Sequence, residues 1–229
     1  MGGQACVLYG AAEFSRDTDV AILLTDDNLE RLRGALAELR AEVIAVPPFE
    51  SQYLARGHAV HFRSHHPEAA GMRLDVMARM RGVERFEALW DRRTTFTLPE
   101  LGDLDVLALP DLVLAKKTQL DKDWPMLRRL VDASYLQQRS DPNEERVRFW
   151  LSELRTPVLL VECAARFPEA ARDLGARRPA VAAARSSDLA GMEASLAEEE
   201  TAERAADRAY WAPLRAELEE LRQTARDGP

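Results

Sequence analysis

The stretch GGQACVLYGAAEFSRDTDVAILL, residues 2–24, decides how the rest of the chain is interpreted. Its apolar pattern predicts a short helix over residues 4–9 and a strand over residues 17–24. Side chains alternate along a strand, so Asp17 and Asp19 share one face while Thr18, Val20 and Ile22 face the other way. Two carboxylates this close repel each other unless a positive charge lies between them. The stretch therefore predicts a cation beside this pair.

Length and composition are those of a folded globular protein. The chain has 229 residues, of which 46% are hydrophobic and 31% charged. This length fits one large domain or a catalytic domain with a helical extension, and we favour the second. The formal net charge of −8 argues against a broadly basic surface for extended duplex DNA or a membrane.

Several features of the sequence predict a cytoplasmic location. No stretch approaches the roughly 18 apolar residues of a membrane helix, and the first residues do not resemble a secretory signal. Cys6 and Cys163 lie far apart without metal-binding spacing, so we expect free, buried thiols in a reducing compartment.

Strand patterns crowd into the first half of the sequence and helix patterns into the second. This order predicts an α+β fold, with a mixed β-sheet core over residues 1–138 and a helical region over residues 139–229. Besides 17–24, we predict strands over 41–47, 59–64, 72–80, 94–99 and 104–110. We predict helices from Thr25 or Asp26 onward, over 85–93, over 111–120, over 143–167, and through most of the chain after Trp124.

A third carboxylate stands in the segment RLDVM. Strand alternation places Asp75 on the face opposite Leu74 and Val76. If this strand neighbours the one that carries Asp17 and Asp19, three carboxylates meet. Oxygen-rich clusters of this kind select a hard divalent ion such as Mg²⁺. Two such ions can align the attacking and leaving oxygens of a displacement at phosphorus.

The glycines suggest a place for phosphate. A turn at Gly2 and Gly3 before the first helix would let a phosphate approach bare backbone N–H groups. Arg16, next to the first aspartate, would add a charge-assisted contact, although an exposed arginine at a strand start usually has no specific role.

Together these segments resemble the DNA polymerase beta-like nucleotidyltransferases, in particular the bacterial branch that includes toxins of toxin-antitoxin pairs. The resemblance covers residues 2–135, including Asp75 and the later segment LPDLVLAKKTQLDKDWPMLRRL. It implies a small mixed-sheet nucleotidyltransferase core with flanking helices. In that family the counterparts of Asp17 and Asp19 hold two Mg²⁺ ions, and the counterpart of Asp75 holds one and helps to deprotonate the acceptor hydroxyl.

The resemblance also implies roles outside the acidic cluster. Gly2 and Gly3 would embrace the phosphates of a nucleoside triphosphate such as ATP. A lysine, Lys116 or Lys117, would touch the triphosphate, and Asp123 would orient that lysine. A helix lysine is nevertheless more often a solvated charge than a ligand.

The activity implied is transfer of a nucleoside monophosphate from an NTP to an acceptor hydroxyl on tRNA, a protein or a small molecule. Inclusion in the toxin branch would add an antitoxin protein as a partner. The alternatives are a catalytically inactive nucleotidyltransferase fold that binds nucleotide or protein, and a helical interaction protein.

Two further patterns are weaker. Asp103 and Asp105 repeat the Asp-x-Asp spacing without a glycine-led helix, and we expect solvated residues on an edge strand. His61, His65 and His66 lack a fourth ligand at a recognisable spacing, so we do not predict a zinc site.

Overall fold

The computed structural model describes residues 1–227 and places the chain in the α+β class, as predicted. It divides into two compact units. The first contains residues 1–115 and the chain from Arg208 onward, and the second contains residues 116–207. The predicted boundary after residue 138 falls inside the second unit, at the end of a helix.

The first unit is built on a four-stranded sheet. Its elements are α1 (Gly2–Leu8), β1 (Asp17–Ala21), α2 (Asp26–Glu38), β2 (Glu42–Val43), α3 (Ser51–Arg56), β3 (Val60–Arg63), β4 (Arg73–Met77), α4 (Phe86–Asp91), β5 (Thr94–Leu98), β6 (Gly102–Val106) and α5 (Leu109–Ala115). The strand order is β1-β4-β3-β2, with β1 parallel to β4 and the other pairs antiparallel. Strands β5 and β6 form a separate antiparallel hairpin.

One face of the four-stranded sheet carries the core of this unit. The cluster contains strand residues and helix residues in contact: Ile22, Leu29, Leu36, Leu54, Val60, Phe62, Leu74 and Val76. The predicted helix start is confirmed, because Thr25 caps α2 and its side-chain oxygen accepts a hydrogen bond from the Asn28 N–H at 3.4 Å. Since α2 and α3 cover this face, polar strand residues are left for the other.

Strand β2 is shorter than the sequence predicts. We expected a strand over residues 41–47, and the ladder extends only over Glu42–Val43, followed by one further backbone bond from the Ile44 N–H to the His61 carbonyl at 2.9 Å. Pro47 and Pro48 have no N–H to donate, so the ladder cannot continue through them.

The second unit is helical. It comprises α6 (Asp123–Gln138), α7 (Glu144–Glu153), α8 (Pro157–Arg166), α9 (Pro168–Gly175), α10 (Pro179–Arg185) and the first part of α11 (Leu189–Asp227). The single helix predicted over residues 143–167 is wrong. It is two helices, because Pro157 begins α8 and disfavours a helical conformation in the residue before it.

The described residues 1–227 contain no helix that combines the length and the apolar composition needed to cross a membrane.

Candidate functional site

The acidic residues of β1 and β4 lie on the sheet face opposite the core. In the parallel pairing, Asp19 is the register partner of Asp75 and Asp17 is the register partner of Arg73. Strand β3 adds His61, which is the antiparallel partner of Asp75. The predicted neighbourhood of the two acidic strands is therefore confirmed.

Asp75 is the most enclosed of the three acids, with 8% of its surface exposed. Its carboxylate accepts two hydrogen bonds from Arg73, at 2.8 Å from Nε and 3.0 Å from Nη2. Burial by itself raises the pKa of Asp75, but the hydrogen bonds and charges of His61 and Arg73 outweigh it and hold the pKa below its ordinary value. Asp75 is thus held as a carboxylate.

Arg73 is the cation that the paired aspartates require. Hydrogen bonding to Asp75 raises the pKa of Arg73, burial opposes this, and the charges of Asp75, Asp17 and Asp19 raise it further. Arg73 therefore pairs with Asp75 of β4, and the charges of the two β1 aspartates also act on it. Sequence reasoning missed this residue, although its position two residues before Asp75 already places both side chains on one strand face.

His61 completes the environment of Asp75. Its Nδ1 lies 2.8 Å from Asp75 Oδ1 and 3.1 Å from Arg73 Nη2. A protonated Nδ1 donates to the carboxylate, whereas an unprotonated Nδ1 accepts from the arginine. Val60 and Phe62 on either side of His61 are buried in the core, so strand alternation places His61 on the opposite face, with the acids.

The two glycines lie against the carboxylate of Asp19. The Gly3 N–H donates to Asp19 Oδ2 at 3.4 Å. Gly2 has a φ of +64°, and a Cβ added there would collide with the Asp19 carboxylate, while one added at Gly3 would collide with Ser15 Oγ. Bare backbone is therefore required where α1 meets β1.

Comparison with models of known protein families found no match for this chain, and comparison with curated proteins found no significant match.

Arg16 is exposed, and its guanidinium lies 5.9 Å from the centre of the Phe14 ring.

The predicted lysines belong to the second unit. We expected both lysines on a helix, but α5 ends at Ala115 and they follow it. Lys116 Nζ donates to Asp123 Oδ1 at 3.1 Å, and the Thr118 hydroxyl donates to Asp123 Oδ2 at 2.6 Å, so the carboxylate holds this segment in a loop. Asp123 therefore holds the ammonium group of Lys116 in place.

Lys117 has different partners from its neighbour. Its Nζ donates to Glu153 at 2.9 Å and lies 3.8 Å from Glu203. With 9% of its surface exposed, Lys117 is enclosed among these carboxylates within the helical unit.

The weaker patterns are also located. Asp103 and Asp105 lie on β6, are exposed, and accept hydrogen bonds from Thr97 at 2.7 Å and Thr95 at 2.6 Å. Over residues 1–227, no three His, Cys, Asp or Glu side chains are arranged to hold a metal ion.

Proposed function

We propose that this protein is a divalent-metal-dependent nucleotidyltransferase, which transfers a nucleoside monophosphate from an NTP to an acceptor hydroxyl and releases pyrophosphate. The observation that supports it is the register of Asp19 with Asp75 across parallel β1 and β4, with Asp17 on the same face. Apolar packing between the two acidic strands on this face would have argued against it. A charged cluster with a glycine-lined edge lies there instead.

The donor types fit Mg²⁺, because all three acids offer carboxylate oxygens on one face. Gly2 and Gly3 lie against the side chains of Asp19 and Ser15 with no room for a Cβ, so the bare backbone lets α1 pack closely against this acidic face. One adjustment is needed, since Arg73 must turn away from Asp75 to free its oxygens. Arg73 is 39% exposed, so it has room to do so.

When bound, divalent ions would neutralise the phosphates and orient the attacking hydroxyl. The chain's own residues have separate tasks. Asp17 and Asp19 would hold the ions at the start of β1, and Asp75, kept ionised by its neighbours, would accept the proton of the acceptor hydroxyl. Once released from Asp75, Arg73 would be free to pair with a phosphate oxygen.

A second candidate is a nucleotidyltransferase fold without catalysis. The observation that favours it is the fork of hydrogen bonds from Arg73 to Asp75, at 2.8 and 3.0 Å, which already satisfies the carboxylate. If this pair never opens, Asp75 binds no metal ion and the protein catalyses no transfer. The protein would then act by binding a nucleotide or a protein.

A transfer assay tests the proposal. The protein is incubated with each α-³²P-labelled NTP, Mg²⁺ and a bacterial cell extract, and labelled RNA, protein and small molecules are separated. Wild type should label one acceptor class, and Asp19→Ala and Asp75→Asn should abolish the labelling. Asp103→Asn and Asp105→Asn are the matched controls, because this pair has the same Asp-x-Asp spacing on exposed β6. Labelling that persists in Asp19→Ala would contradict the proposal.

Thermal unfolding separates the two candidates. An enzyme-like site should be stabilised by NTP only when Mg²⁺ is present, because a ligand that binds the native state adds stability. Stabilisation by NTP that is the same in EDTA, with no labelling, would favour the binding module.

A further inference from the structure

The helical second unit contains a cavity of about 390 Å³ with an arginine-rich lining. Arg128 and Arg129 come from α6, Arg155 from the connection after α7, and Arg204 from α11. We call this set the arginine pocket. Four guanidinium groups repel one another unless acids or a bound anion neutralise them.

The acids of the arginine pocket are committed to a single arginine. Asp121 and Glu200 are the two carboxylates in its lining. Arg204 donates to Asp121 at 2.6 Å and to Glu200 at 2.7 and 2.9 Å. The lining therefore holds four arginines against two carboxylates, and both carboxylates are hydrogen-bonded to Arg204, so positive charge is in excess.

Arg155 is the least satisfied of these arginines. It is 6% exposed, and its contacts are long: Nη1 donates to the Leu196 carbonyl at 3.4 Å, and Nη2 lies 3.4 Å from Glu199. Within residues 1–227 its Nε has no hydrogen-bond partner. A buried donor without a partner destabilises the fold, and more so when it is charged. Burial also lowers the pKa of Arg155, as does the nearby charge of Arg178, while Glu199 opposes them.

Aromatic packing fixes where the guanidinium groups lie. Arg155 is 4.8 Å and Arg204 is 5.5 Å from the centre of the Trp124 ring. The indole is 5% exposed, and its Nε1 donates to the Thr118 carbonyl at 2.9 Å. The ring therefore supports the two arginines and is not available to stack a nucleobase.

From this arrangement we propose that the arginine pocket binds a phosphate-class anion, such as inorganic phosphate, pyrophosphate or the phosphates of a small molecule. Guanidinium forks match phosphate oxygens, and the cavity is within the size range of small-ligand sites. Arg128 and Arg129 are exposed at the mouth, and Arg155 supplies the enclosed cation. Because the lining offers no free aromatic face, recognition depends on the phosphate and not on a base.

Calorimetric titration of the full chain tests the proposal. Inorganic phosphate, pyrophosphate, ATP and GTP are titrated separately in EDTA, so that any divalent-metal site of the first unit does not contribute. We expect pyrophosphate to bind more tightly than phosphate, and ATP and GTP to bind with similar affinity. Arg128→Ala/Arg129→Ala, which changes exposed residues, should weaken pyrophosphate binding roughly tenfold or more.

Matched variants make the result specific. Arg148→Ala/Arg172→Ala removes the same charge from exposed positions of the helical unit outside the pocket and should leave the affinity unchanged. Asp19→Ala should also leave it unchanged, which separates this site from the proposed active site. Arg155→Lys should weaken binding without loss of fold. The absence of binding in wild type, or equal weakening in the two double variants, would overturn the proposal.

Discussion

Asp19 and Asp75 lie opposite each other on adjacent parallel strands, and Arg73 joins Asp75 on the same face through two hydrogen bonds. Two carboxylates on neighbouring strands destabilise a sheet unless a cation neutralises them. Arg73 supplies that charge from within the chain. The proposed metal ions would take over the same task, so the guanidinium and a divalent ion should compete for Asp75.

Asp75 should stabilise the fold in a pH-dependent way. Its pKa is lowered in the folded state, so its stabilisation is complete above the unfolded-state pKa, about 3.9, and is lost as the pH falls through the folded-state value. Asp75→Asn should therefore be less stable than wild type by about 1–3 kcal/mol at neutral pH, and the difference should shrink below about pH 4. Urea unfolding of wild type and variant at a series of pH values, from neutral to acid, measures the difference in the free energy of unfolding. Asp103→Asn is the control. A stability difference between Asp75→Asn and wild type that grows in acid would contradict a lowered pKa of Asp75.

Arg73 should be needed for stability when no divalent ion is bound. Arg73→Met removes the guanidinium that pairs with Asp75, and because Arg73 is partly exposed we expect a loss of about 1–2 kcal/mol. Mg²⁺ should restore more stability to this variant than to wild type, since the competing guanidinium is gone. Thermal unfolding with and without Mg²⁺ measures both effects, and Arg73→Lys is the charge-preserving control. Equal stabilisation of wild type and Arg73→Met would show that Arg73 and the ion do not compete.

Local patterns predicted the elements that present the acids. The cap at Thr25 and the strand alternation around Asp75 follow from short-range chemistry, and the structure confirms both. The partners of Asp75 were harder to predict, because His61 reaches it only through the pairing of β3 with β4. Strand pairing is a tertiary property, so sequence spacing did not show it.

The position of the lysines was also set by tertiary contacts. Neither Gly nor Pro occurs in residues 116–120, so no helix-breaking residue marks the end of α5. The segment leaves the helix because Lys116 and Thr118 both bind Asp123, and Lys117 binds Glu153, 36 residues away. Such long-range ion pairs cannot be inferred from helical periodicity.

Gly2 should be more sensitive to substitution than a glycine of similar conformation in open space. Gly2→Ala and Gly10→Ala both place a side chain at positive φ, +64° and +75°, which costs about 1 kcal/mol. Only the methyl group at Gly2 collides with the Asp19 carboxylate, whereas nothing lies within 4 Å of one at Gly10. We therefore expect Gly2→Ala to abolish most NTP transfer and Gly10→Ala to retain it. Equal activity of the two variants would show that Asp19 need not be held in place.

Both cysteines should be unreactive in the native protein. Cys6 and Cys163 are fully buried thiols that are not joined in a disulfide, as predicted from their spacing. Burial, followed by the charge of Glu162, raises the pKa of Cys163 to about 12, although Arg166 opposes this, so almost no thiolate is present at pH of about 8. A thiol reagent such as DTNB should label neither residue in buffer and both in urea. Cys163→Ala should leave one thiol that reacts in urea. Rapid labelling of the folded wild type would contradict the burial of the thiols. Labelling of fewer than two thiols in urea would contradict the prediction that neither cysteine is in a disulfide.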